Sequence, residues 1–81
     1  MTIAYDDDAD VLYITLQETS GPCSYVENAN GDILRIEMQT GKVIGCTIMF
    51  FMGRVQRHGE VCVPEVGFAP FNAKTLELLH T

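Results

Sequence analysis

Asp6, Asp7, Asp8 and Asp10 occupy four of five consecutive positions, directly ahead of the strand-like run 11–17. Carboxylates so dense can hold a hard cation, drive acid–base chemistry, or turn and cap the chain. Asp6, Asp8 and Asp10 match the first, third and fifth ligand positions of a twelve-residue calcium loop. The same loop needs glycine at its sixth position and a bidentate glutamate at its twelfth, where this chain has Val11 and Gln17. Asp6, Asp8 and Asp10 are therefore kept only as metal candidates that fail two requirements. The competing reading has Asp6 accepting backbone amides in a turn, Asp7 and Asp8 in water, and Asp10 bonding an amide as the strand begins.

A second group with metal-ligand chemistry is Cys46, His58 and Cys62. His58 and Cys62 are four apart, but structural zinc draws on two close ligand pairs and the second is missing. The three cysteines, 23, 46 and 62, are odd in number and form no C-x-x-C, so they read as reduced thiols rather than a disulfide framework. A cysteine or serine nucleophile would need a histidine base and an orienting carboxylate. The sequence has neither a nucleophile elbow nor a glycine-rich phosphate cradle to organise them. No catalytic residue and no cofactor is expected.

The bulk properties narrow the function classes. With 81 residues, 47% of them hydrophobic and 20% charged, the chain is one globular domain, 1–81, of a size that buries only about 60% of its unfolded surface alone. Net charge −6 argues against nucleic acid, whose phosphates call for clustered Lys and Arg. No apolar run approaches the roughly 20 residues of a membrane helix, and no basic leader precedes an apolar segment, so a cytoplasmic protein is expected. The charge is unevenly placed. Residues 1–40 hold eight acids against Arg35 alone, whereas residues 41–81 hold Lys42, Arg54, Arg57 and Lys74 against three acids. A small basic protein partner, or the basic half of a second copy, suits that distribution electrostatically.

The elements that must position these groups follow from periodicity. Residues 2–5 and 11–17 read as two strands joined by the aspartate turn, with Leu12, Ile14 and Leu16 alternating against Val11, Tyr13 and Thr15. Asn30-Gly31 between two β-rich runs predicts a hairpin with primed turn geometry, and Gly41 a second turn in left-handed conformation. Residues 43–52 read as one strand that is apolar on both rows. Ile44, Cys46, Ile48 and Phe50 make one row, and Val43, Met49 and Phe51 contribute to the other. Val43, Met49 and Phe51 are accordingly the candidates for an oligomer interface. Residues 53–71 read as irregular chain with one short strand, and 72–80 as a C-terminal helix capped by Asn72, with Ala73, Leu76 and Leu79 on one face. The fold expected is β-rich α+β: an antiparallel β-meander of four to six strands over residues 2–52 with a short C-terminal helix. Met49, Phe50, Phe51, Met52, Phe68 and Phe71 supply enough aromatic and thioether surface for a core, an interface or a ligand pocket.

The run Tyr5, Asp6, Ala9, Asp10, Leu12, Tyr13, Ile14, followed by Gly41, Val43, Ile44 and Gly45, resembles the Domain of Unknown Function 2283 family of small prokaryotic proteins, whose members open on Y-D-x-x-A-D-x-L-Y-I. The resemblance covers about residues 1–50. It implies a compact β-rich domain with no assigned active site, and for some relatives a pairing with small toxins. The residues themselves point first to a non-enzymatic module completed by homo-oligomer contact, a dimer being favoured. A basic partner and metal or small-ligand binding at the aspartates are the alternatives.

Overall fold

The two-sided apolar run at 43–49 demands the driest position in a sheet, and the chain places it at the centre. The computed structural model describes residues 1–67 and 70–79, apart from the side chain of position 79. Five strands, β1 (Thr2–Asp6), β2 (Val11–Thr15), β3 (Cys23–Glu27), β4 (Ile33–Glu37) and β5 (Val43–Met49), form one antiparallel sheet in the order β1-β2-β5-β4-β3. Helix α1 (Phe51–His58), a 3-10 turn (Pro64–Val66) and helix α2 (Ala73–Leu79) follow. The class is α+β, as the sequence indicates. The sheet is built from a β1-β2 hairpin and a β3-β4-β5 meander. Residues 16–22 carry the chain past the central strand, so that β5 can dock on β2 and β3 becomes the far edge.

Pairing fixes the faces. Leu12 opposes Ile48, and Ile14 and Leu34 both oppose Cys46, so these side chains share one face by strand alternation. On that face they pack with Phe51 and Val55 of α1, Val61, Val63, Val66 and Phe71 into one buried cluster, joined at its margin by Ile3, Tyr5, Ile36 and Leu76. The helices, the 3-10 turn and the Val61–Phe71 bridge thus cover one side of the sheet.

Three local expectations change. Residues 50–58 are not the end of a strand followed by a loop: Phe50 turns into the left-handed region (φ 54°, ψ 45°) and α1 begins at Phe51. Gly59, also left-handed, closes α1 by donating its amide to the Val55 carbonyl. The turn before β4 is not primed, because Gly31 (φ 86°) alone has positive φ there. Gly31 N–H donates to the Asn28 carbonyl and Asn28 N–H to the Asp32 carbonyl, as in an ordinary turn followed by a left-handed glycine. Phe51, expected beside Val43 and Met49, instead lies wholly inside the core, which removes it from any interface. Gly41 (φ 74°) and the Asn72 cap agree with expectation: Asn72 Oδ1 accepts the Lys74 amide. Position 80 of the expected helix, and Phe68 of the aromatic set, lie outside the described residues.

Candidate functional site

Among the described residues, no helix lies on one side of the sheet. Alternation along the paired strands puts two rows on it, running across all five strands in spatial order. The first row is Thr2, Thr15, Gly45, Arg35 and Tyr25, and the second is Ala4, Tyr13, Thr47, Ile33 and Glu27. Val11 and Met49 extend the second row's side of the face. Several of these are large and apolar yet open to solvent: Tyr25 is 67% exposed and Tyr13 45%.

The middle of the face is hollow. Gly45 has no side chain, and a Cβ there would come within 2.9 Å of the Ile14 carbonyl oxygen, so the strand pair tolerates nothing larger. Tyr13, Thr15, Thr47, Arg35 and Tyr25 surround the gap and make a groove of about 300 Å³. Arg35 stands on its wall. The Cys23 side chain hydrogen-bonds its guanidinium and, with Tyr25 and Glu18 nearby, favours the charged form. Its Nε is buried without a hydrogen-bond partner, and among the described residues no carboxylate is in ion-pair contact with it.

A second hollow adjoins the first, lined by Glu27, Asn30, Gly31, Ile33, Met49, Phe50 and Arg54. Phe50 dominates its rim. The residue is 68% exposed and holds a left-handed backbone that disfavours a side chain by about 1 kcal/mol or more. A strained, exposed aromatic is a recurrent sign of a recognition surface. Beneath it, Arg54 pairs with Asp32, which is fully buried and also accepts from Asn28 Nδ2. Asn28 Nδ2 reaches Glu65 as well, so this polar knot ties the β3-β4 turn to α1 and to the 3-10 turn.

The aspartates resolve into separate roles. Asp6 Oδ1 accepts the amides of Asp8 (3.1 Å) and Ala9 (3.2 Å), which makes it the turn former. Asp10, left-handed at φ 56°, points away from its neighbours toward α1. Its Oδ1 accepts from Met52 N–H (2.8 Å) and Tyr5 hydroxyl (2.6 Å), its Oδ2 from Gly53 N–H (3.1 Å), and its backbone carbonyl from Phe51 N–H. It caps α1 across more than 40 positions of sequence. Burial works against ionisation of Asp10, but the hydrogen bonds from Tyr5, Met52 and Gly53 outweigh it and lower its pKa. The same bond to Asp10, helped by burial and by the charges of Asp10, Asp7 and Asp6, pushes the Tyr5 phenol up to about 12.

The expected metal set Asp6, Asp8 and Asp10 is therefore not assembled, since Asp10 is committed to α1. Asp6, Asp7 and Asp8 do bring one oxygen each within 4.8 Å of one another, all exposed. Cys46, His58 and Cys62 are not gathered into a ligand group among the described residues. Burial, followed by the charges of Asp32 and Glu65, pushes the Cys46 thiol up to about 12, so at neutral pH it is an apolar filler rather than a nucleophile. Of the interface candidates, Val43 packs against the core margin and Met49 is half-buried on the uncovered face. Reading the sequence alone missed Tyr13, Tyr25 and Arg35 and held Phe50 only as one of six aromatic and thioether candidates. The exposed rows became visible only once strand order was known.

A family model described as a protein of unknown function, DUF2283, matches residues 2–51. No curated protein and no solved structure matches the chain.

Proposed function

The chain belongs to the DUF2283 family of proteins of unknown function, and we propose that it is a binding module whose uncovered sheet face docks a second copy of itself. The observation that carries this reading is the exposed set Tyr13, Tyr25 and Phe50, with Ile33 and Met49 half-buried among them, on a sheet whose other side alone is covered. Sheets bury one face on a core and keep the other polar when both are to remain stable in water. This face has five large apolar groups and one unpaired cation. A standard interface takes about 800 Å² from each partner, near 15% of this chain's 5210 Å², an area one face of a five-stranded sheet is able to supply.

Tyr and Phe anchors beside Arg are the residue types that concentrate binding energy. On the closed side the buried apolar residues meet α1, the 3-10 turn and α2, and Val26, on the edge strand β3, is left 47% exposed. In this reading Tyr5, Asp6 and Asp10 belong to the fold, because they shape the first turn and cap α1, rather than to binding. The test is sedimentation of the wild type against Tyr25→Asp. A dimer that the substitution converts to a monomer with an unchanged circular dichroism spectrum is the expected result. A wild type that stays monomeric at millimolar concentration removes the reading.

A further inference from the structure

We propose that Arg35 of one copy pairs with Glu27 of the other, twice per dimer, and that these reciprocal ion pairs fix the register in which the two uncovered faces meet. The inference rests on the self-docking reading above and specifies its contacts. Arg35 is the cation of the two facing rows, and Glu27 is their acid. Each lacks a charged partner within its own chain among the described residues. They sit on adjacent strands but one row apart, since Arg35 opposes Tyr25 and Glu27 opposes Ile33. Within the chain the guanidinium leans toward Cys23, the opposite direction along β3 from Glu27.

The two rows are complementary in size as well as charge. In a two-fold dimer the same patch serves both partners, so whatever residue i meets in residue j, residue j meets in residue i. A two-fold axis lying in the interface and crossing the strands between the rows lays each row on the other. Gly45 then receives Thr47, and Thr15 receives Tyr13: at each of these positions a smaller residue faces a larger one. Arg35 comes over Ile33 of the second copy, whose neighbour in the row is Glu27. Facing sheets stand about 10 Å apart, a gap that an arginine and a glutamate close from opposite sides. The Thr47 side chain of the other copy enters the groove around Gly45, and the guanidinium that lacks a carboxylate in the monomer gains one.

Charge reversal in two separate chains tests the pairing. Arg35→Glu and Glu27→Arg each place like charges at both contacts and are expected to weaken self-association about a hundredfold, on the order of tenfold per contact. The two variants mixed in equal amounts contain one native and one inverted pair in each mixed dimer, and association at wild-type strength returns. Neither a folding defect nor an ion pair inside one chain produces recovery on mixing. Glu27 is exposed on an edge strand, so Glu27→Arg alone still reports if Arg35→Glu fails to fold. Sedimentation velocity on each variant and on the mixture supplies the reading. A dimeric wild type whose single variants also dimerise, or a mixture that remains monomeric, overturns the pairing while leaving self-docking in place. A monomeric wild type instead removes the reading on which it rests.

Discussion

Replacing Asp10 perturbs the contact that joins the first hairpin to α1, and its cost follows from the bonds it makes. Asp10→Ala removes both carboxylate bonds to the α1 amides and the partner of the Tyr5 hydroxyl. Loss of a capping side chain costs about 0.5–2 kcal/mol, and hydrogen bonds to a charged group contribute about 1.5–3 kcal/mol each, net of the exchange with water. Met52 and Gly53 are only half-buried, so water takes up part of the demand of the freed amides, and about 3 kcal/mol is expected in all. Asp10→Gly loses the same bonds but relaxes the left-handed backbone, which returns about 1 kcal/mol and leaves a cost near 2 kcal/mol. Asp10→Asn keeps one acceptor oxygen and a residue type that tolerates φ 56°, and should cost about 1–2 kcal/mol. Urea midpoints at pH 7 should rank the variants wild type, Asn, Gly, Ala. The pKa of Asp10 is depressed by folding, so its contribution is fully present above the unfolded value of 3.8 and lost as pH falls through the folded one. The gap between wild type and Asp10→Asn should shrink below pH 4 accordingly. An Asp10→Ala variant within 0.5 kcal/mol of wild type, or a gap that does not narrow with acid, refutes the capping account.

Leu12→Ala and Ile14→Ala, both in the buried cluster, should cost about 2–5 kcal/mol, whereas Asp7→Ser and Asp8→Ser, both exposed, should stay within about 0.5 kcal/mol by denaturant midpoint. Arg54→Ala should cost about 3 kcal/mol in the same assay, because it leaves the buried Asp32 carboxylate without its cation. Phe50→Gly should raise monomer stability by about 1 kcal/mol through relief of the left-handed strain, while weakening self-association in sedimentation. Tyr5 is raised from 10.0 to about 12 in the folded chain, so its contribution holds below pH 10 and is lost as pH climbs toward 12. Tyr5→Phe should abolish that alkaline component of the midpoint-against-pH curve.

The strands, the two-sided character of residues 43–49 and the α+β class were legible in the sequence because alternation is a local signal. Helix α1 was not, for a reason the structure makes plain. Its N-cap position is Phe50, a residue with no capping side chain, and the cap comes from Asp10, on the far side of four strands in sequence. A search for Ser, Thr, Asp or Asn next to the helix finds nothing there, and Gly53 further lowers the propensity. The role of Asp6 was legible, since a side chain accepting amides two and three residues on is sequence-local. The uncovered face was not. Arg35 and Tyr25 look like ordinary exposed strand residues until the order β1-β2-β5-β4-β3 places them beside Gly45, Thr47 and Tyr13. Phe51 was misplaced by extending a period of two through Phe50, where the left-handed turn breaks the alternation.

The central claim is that the uncovered face closes on a second copy, and sedimentation equilibrium of the wild-type chain over a range of concentrations tests it most directly. One chain has a mass of 9.0 kDa. The account predicts a weight-average mass that rises with concentration to twice that value and stops, as a closed two-fold pairing requires. A mass that stays at a single chain across the whole range would contradict it.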